Sequence, residues 1–182
     1  MNVTRVSFLA AALLVSGFAA AAPEPFGFKG VDLGSDIAAV ANNPKYECRS
    51  ASAPASDTIC GLRPQEKETI AGAPIRSLFF FYYGGRLTSI AIHLDEQYFP
   101  RVVDALRGKY GDGRVRTESI RNLKGVGFEN RTYTWAHPDE TMVAQRYAGR
   151  VDQSSLRFTA DELIRRIEQH KAAVAKDPGK DL

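Results

Sequence analysis

The chain has 182 residues, 44% hydrophobic and 25% charged, with a formal net charge of +3. That balance is ordinary for one soluble globular domain. The positive surplus is too small to imply a nucleic-acid partner, which would want a basic surface interleaved with aromatics.

The first residues have the pattern of a secretory signal peptide. Arg5 supplies a positive start, residues 6–15 a short apolar stretch, and residues 19–22 are all alanine. Ala19 and Ala21 satisfy the small-x-small rule and leave Ala22 first. The alternative pair, Ala20 and Ala22, would leave Pro23, whose ring cannot present the extended geometry of a scissile bond. A signal peptide over 1–21 is therefore expected, with a cut before Ala22. The apolar stretch falls short of the roughly 20 residues of a spanning helix. No cysteine near the cut offers a lipid anchor. The expected location is periplasmic or secreted.

One α+β domain is expected over 22–175, followed by a flexible tail at 176–182. Residues 26–33 suit an extended entry segment, and Gly34, Ser35 and Asp36 a turn with an N-cap. Residues 37–40 follow as a short helix, stopped by Asn42, Asn43 and Pro44. Cys48 and Cys60 flank a polar loop between two strand-like arms, 46–49 and 58–63. In an exported chain two cysteines so close are expected to form a disulfide. A redox role would want C-x-x-C at a helix N-terminus, and the spacing here is longer.

Residues 75–94 are two β-rich runs joined by Gly84-Gly85, the composition of a tight hairpin turn. A two-residue loop sets Tyr83 against Arg86, Phe81 against Thr88 and Phe79 against Ile90. On that register Phe79, Phe81, Ile90, Ile92 and Leu94 share one face, and Leu78, Phe80, Tyr82 and Leu87 the other. Aromatics on both faces mean either cover on both sides or a sticky surface on one.

Asp95 can cap a helix in which Phe99, Val102, Val103, Leu106 and Tyr110 recur at helical spacing, with Gly111 as its stop. Strands are expected at 114–120, 128–136, 141–147 and 154–158, with a turn at 137–140. The 159–162 segment has the form of a capping box, and Leu163, Ile167 and Val174 give the last helix its apolar stripe. The expected architecture is α+β: an antiparallel sheet of two β meanders with about three helices packed on it.

Catalytic chemistry has little support. His93, His137 and His170 are far apart in sequence, and none belongs to a recognisable metal-ligand motif. No catalytic residue, metal or cofactor is assigned. A triad could still assemble around His137, Asp139 and a distant serine, but no G-x-S-x-G context is present. Asn130-Arg131-Thr132 fits a glycosylation sequon. The candidate interface joins the aromatics Phe80, Tyr82, Tyr133 and Trp135 to the basic residues Arg114, Arg116, Arg121 and Lys124.

Val31-Asp-Leu-Gly34-Ser35, followed by Ile37 and Val40, resembles the opening of the SmpA/BamE outer-membrane assembly family and of β-lactamase-inhibitor-protein-like modules. That resemblance implies short helices preceding an antiparallel sheet used for binding. The chain departs from the assembly family in lacking a lipid-anchoring cysteine, and no functional residue carries over.

The expected function is an exported, non-enzymatic binding protein recognising a protein partner, in an inhibitor- or immunity-like role. Two alternatives stand beside it. One is a small envelope hydrolase using His93 or His137. The other is a carrier of an apolar ligand enclosed between the sheet and the helix at 95–110.

Overall fold

The computed structural model describes residues 24–121 and 125–176. The expected signal peptide, Lys124 and the tail beyond Lys176 lie outside the described residues. The chain opens with a two-stranded sheet, β1 (Gly27–Phe28) and β2 (Val31–Asp32), then the one-turn helix α1 (Ala38–Ala41). Five strands follow: β3 (Tyr46–Ala53), β4 (Ser56–Leu62), β5 (Thr69–Ile70), β6 (Ala73–Tyr83) and β7 (Arg86–Asp95). A 3-10 turn at Glu96–Tyr98 leads into α2 (Phe99–Tyr110). The remainder is β8 (Arg114–Arg121), β9 (Gly127–Ala136), β10 (Thr141–Gln145), β11 (Gln153–Thr159) and α3 (Asp161–Lys176).

All strands after β2 join one nine-stranded antiparallel sheet. Its order is β3-β4-β6-β7-β11-β10-β9-β8, with β5 on the side of β6. This corrects the expected α+β arrangement of two β meanders carrying helices. The protein is predominantly β, and its strands from β3 onward form a single continuous sheet. Two physical causes account for the difference. The polar stretch between the cysteines is strand almost to its tip, because cross-strand pairing satisfies its backbone even where its side chains bury little. The last strand, β11, returns to pair with β7 over seven residues and fuses the two runs of strands.

Cys48 and Cys60 face each other directly across β3 and β4 and are joined at an S–S distance of 1.99 Å. Gly84 and Gly85 take positive φ values of 55° and 76° and close the β6–β7 hairpin with Tyr83 opposite Arg86. Beyond that pair the register departs from expectation. Tyr82 faces Leu87, but Phe81 faces Ser89, so Thr88 is the extra residue of a β-bulge. A one-residue slip moves a strand's side chains to the opposite face. Ile90 and Ile92 therefore lie opposite Phe80 and Leu78, not beside Phe79 and Phe81.

The bulge thus concentrates apolar residues on one side. Leu78, Phe80, Tyr82, Leu87, Ile90, Ile92, Leu94, Leu156, Phe158 and Met142 are all buried. Three elements pack into the same core: the entry segment, through Phe26, Phe28 and Leu33, α1, through Val40, and α2, through Phe99, Val102, Val103 and Leu106. Each such side chain contributes about 1.5–3 kcal/mol on burial. Phe26 anchors the entry segment. Its N–H donates to Glu140 Oε2 at 2.7 Å and its ring stacks on His137 at 4.1 Å.

Candidate functional site: the half-open sheet face

The face opposite the core carries one unbroken row across eight strands. Glu47, Gly61, Phe79, Ala91, Arg157, Val143, Thr134 and Arg114 lie successively opposite one another from β3 to β8. Directly paired residues of an antiparallel sheet share a face, so these side chains form a single line. Phe79 and Val143 are half-buried, whereas Glu47, Arg157 and Arg114 are exposed. Gly61 explains the posture of Phe79. A Cβ there would stand 3.1 Å from the Phe79 ring, so the ring lies over bare backbone.

Two flanking rows complete the surface. On one side Arg49 of β3 faces Ile59, which faces Phe81, whose ring centroid is 6.4 Å from that of Phe79. On the other, Ser77, His93, Ser155, Gln145, Thr132 and Arg116 lie in succession. Helix α3 reaches this face at its turn end, where Lys171 lies 4.5 Å from the Tyr83 ring centroid and donates to the Pro54 carbonyl. Among the described residues Arg49, Arg114 and Arg157 have no carboxylate within salt-bridge distance, while Arg116 is paired with Glu118 at 2.5 Å.

His93 accepts or donates one hydrogen bond, Nδ1 to Ser77 Oγ at 3.0 Å. Its pKa is pushed down by burial, and further by the charge of Arg157. A nucleophilic serine would need a base oriented by a third group and donors for an oxyanion. The Ser77–His93 pair has no carboxylate hydrogen-bonded to the imidazole among the described residues. It sits on paired strands, Ser77 directly opposite His93, beside a register shift between Ile75 and Ser77. His137 is stacked on Phe26, and His170 is exposed on α3. Among the described residues no group of three His, Cys, Asp or Glu side chains is placed to hold a metal, and no helix is long and apolar enough to cross a membrane.

The aromatic part of the sequence-derived interface is displaced. Phe80 and Tyr82 are fully buried and Trp135 is 5% exposed, so these three belong to the core. Trp135 donates from Nε1 to the Gly111 carbonyl at 2.8 Å, and its ring stacks on half-buried Tyr133 at 6.0 Å. The basic part is at the surface: Arg114, Arg116 and Arg121 are exposed on β8, at one edge of the sheet. Asn130 of the sequon is buried. Its side chain bonds the backbone of Tyr147 in both directions, which leaves no room for a glycan.

The residues missed were Phe79, Arg49 and Arg157. One signal was available, since Leu87 and Ile90 stand three apart and cannot share a face in an unbulged strand.

Among the concavities of the described surface, two bear on ligand binding. One, of about 840 Å³, lies between β8–β9 and the β10–β11 connection, with Glu118, Ile120, Arg121, Tyr147 and Val151 among its walls. The other, of about 290 Å³, runs between β1, β5 and α2 and is lined by Phe28, Ile70, Val102, Leu106 and Phe158. It is an open groove, whereas the apolar-carrier alternative expected an enclosed cavity.

No protein-family model, curated protein or solved structure matches the chain.

Proposed function

We propose that the protein is an exported, non-enzymatic binding module that docks an acidic protein surface on the half-open sheet face, in an inhibitor- or immunity-like role. The observation that carries this reading is the row through Phe79, Arg157 and Arg114. An aromatic ring held over backbone supplies apolar area, and arginines with no carboxylate in salt-bridge range among the described residues supply directed positive charge. Aromatic and arginine side chains are the residue types that dominate interface energetics. Exposed cationic groups steer and select an acidic partner. The Cys48–Cys60 disulfide and the leader-like first residues support action in an oxidising compartment.

The test is site-specific photo-crosslinking from position 79 in cells that export the protein. The expected result is one dominant adduct whose crosslinked peptide lies in an acidic surface. Arg49→Glu together with Arg157→Glu should reduce that adduct at least tenfold. An adduct unchanged by the charge reversal, or no adduct at all, would sink the proposal.

A further inference from the structure

The two edges of the nine-stranded sheet differ in kind. At one edge β3 breaks register between Ser50 and Ala53 and packs against α1. A bulged and partly covered edge is a poor template for another strand. At the other edge β8 pairs with β9 over eight consecutive residues without a bulge. Seven of its eight residues are exposed, the exception being half-buried Ile120, and its outer side has no strand partner among the described residues. A long regular edge strand is an invitation to pairing unless its charges forbid it.

Those charges forbid most partners but leave one self-complementary arrangement. A two-fold axis perpendicular to the sheet sets two β8 strands antiparallel, with the same faces on the same side. Such an axis must pass through a residue that then faces its own copy. Centred on Arg116, the arrangement sets arginine against arginine, and centred on Glu118, glutamate against glutamate. Centred on Val115, it sets Arg114 against Arg116. A Ser119 centre avoids like charges but leaves Arg116 outside the paired stretch.

Centred on Thr117, Arg116 of each copy faces Glu118 of the other. Val115 then faces Ser119, Arg114 faces Ile120, and no like charges are opposed. Arg116 and Glu118 already lie on the same side of the strand, 2.5 Å apart. The pairing would therefore build a four-membered network of two arginines and two glutamates from side chains that need not change face.

We propose that the protein forms a symmetric dimer by antiparallel pairing of β8 with β8 of a second copy, the axis passing through Thr117. The sheet becomes continuous across both chains, and both half-open faces lie on one side. This inference rests on the edge strand alone and stands or falls independently of the acidic-partner reading.

The experiment uses the full exported chain in sedimentation equilibrium, with a cysteine crosslink as a second readout. Wild-type protein should show concentration-dependent dimerisation. Glu118→Arg should weaken it about tenfold by opposing arginines, and the double variant Arg116→Glu with Glu118→Arg should restore it. Under mild oxidation Thr117→Cys should give a disulfide-linked dimer, because residue 117 faces its own copy. Val115→Cys should not, because it faces Ser119. A wild-type chain that stays monomeric throughout, a Glu118→Arg variant that dimerises like wild type, or equal crosslinking at 115 and 117 would overturn the proposal. If Glu118→Arg fails to fold, the two cysteine variants decide the matter alone.

Discussion

The hydroxyl of Thr88 donates to the Phe81 carbonyl at 2.9 Å and is shared with the Ala55 carbonyl at 3.0 Å. This buried side chain sits at the residue where β7 slips by one, so it fills the bulge and ties it to the β3–β4 tip. Thr88→Val keeps the shape and removes the donor. The expected cost is about 1–2 kcal/mol, read as a lower urea midpoint at an unchanged slope. Deleting Thr88 should be far worse, because it returns Ile90, Ile92 and Leu94 to the other face. An intact folded deletion variant would show that the bulge does not sort the faces.

Adjacent phenylalanines should behave oppositely. Phe80 is fully buried and Phe79 half-buried over Gly61. Phe80→Ala should cost about 3–5 kcal/mol, whereas Phe79→Ala should cost well under half of that and act mainly on partner binding. Chemical denaturation of the two variants decides it, and comparable losses would place both rings in the core.

Gly113 is a packing glycine. A Cβ at this position would stand 2.7 Å from the Trp135 ring. Gly113→Ala should destabilise by about 1–3 kcal/mol through overpacking. The chain has a single tryptophan, so its fluorescence reports the site directly. The expected change is an emission shift, since the ring must move off β8 and strain its bond to the Gly111 carbonyl. Unaltered emission with unaltered stability would contradict the packing.

Glu68 is a buried carboxylate held between Lys29 and Lys45, the latter at 2.9 Å. Burial alone would raise its pKa, but the two lysines outweigh burial and hold it below the ordinary glutamate range. A folded value below the unfolded one means that the carboxylate stabilises at neutral pH. That contribution is lost as pH falls from the ordinary range through the lowered value. Glu68→Gln should therefore be less stable than wild type at pH 7, and the two melting curves should converge in acid. A constant gap across that range would show that Glu68 does not titrate as described.

Reducing the Cys48–Cys60 bond should cost about 2–3 kcal/mol by releasing a short loop in the unfolded chain. Unfolding with and without reductant measures it. Because β3 and β4 are paired on both sides of the bond, the reduced protein should still fold.

Local chemistry was the legible part of this fold. Gly84-Gly85 and the helical spacing of Phe99, Val102, Val103 and Leu106 needed only near neighbours, and both formed as their residues suggest. The bulge depends on Ala55, 33 residues before Thr88, and the fusion of the sheet on β11 meeting β7. Neither leaves a pattern within one segment. The same limit governs the site. Arg114 and Arg116 were legible as exposed charge, but choosing between Phe79 and Phe80 required the register. Period-two reading of the hairpin without its bulge gave β7 the wrong face.

The pairing of β11 with β7 also sets a timetable. Until residue 159 has been made, β7 remains an unpaired hydrophobic border in the middle of the future sheet, with Ile90 and Ile92 lacking Phe158 and Leu156. The nascent chain thus has no stopping point short of near-completion at which its core is closed. Such distant strand pairing belongs to folding on the millisecond-to-second scale. A chain with this topology closes its core only once its last strand has arrived.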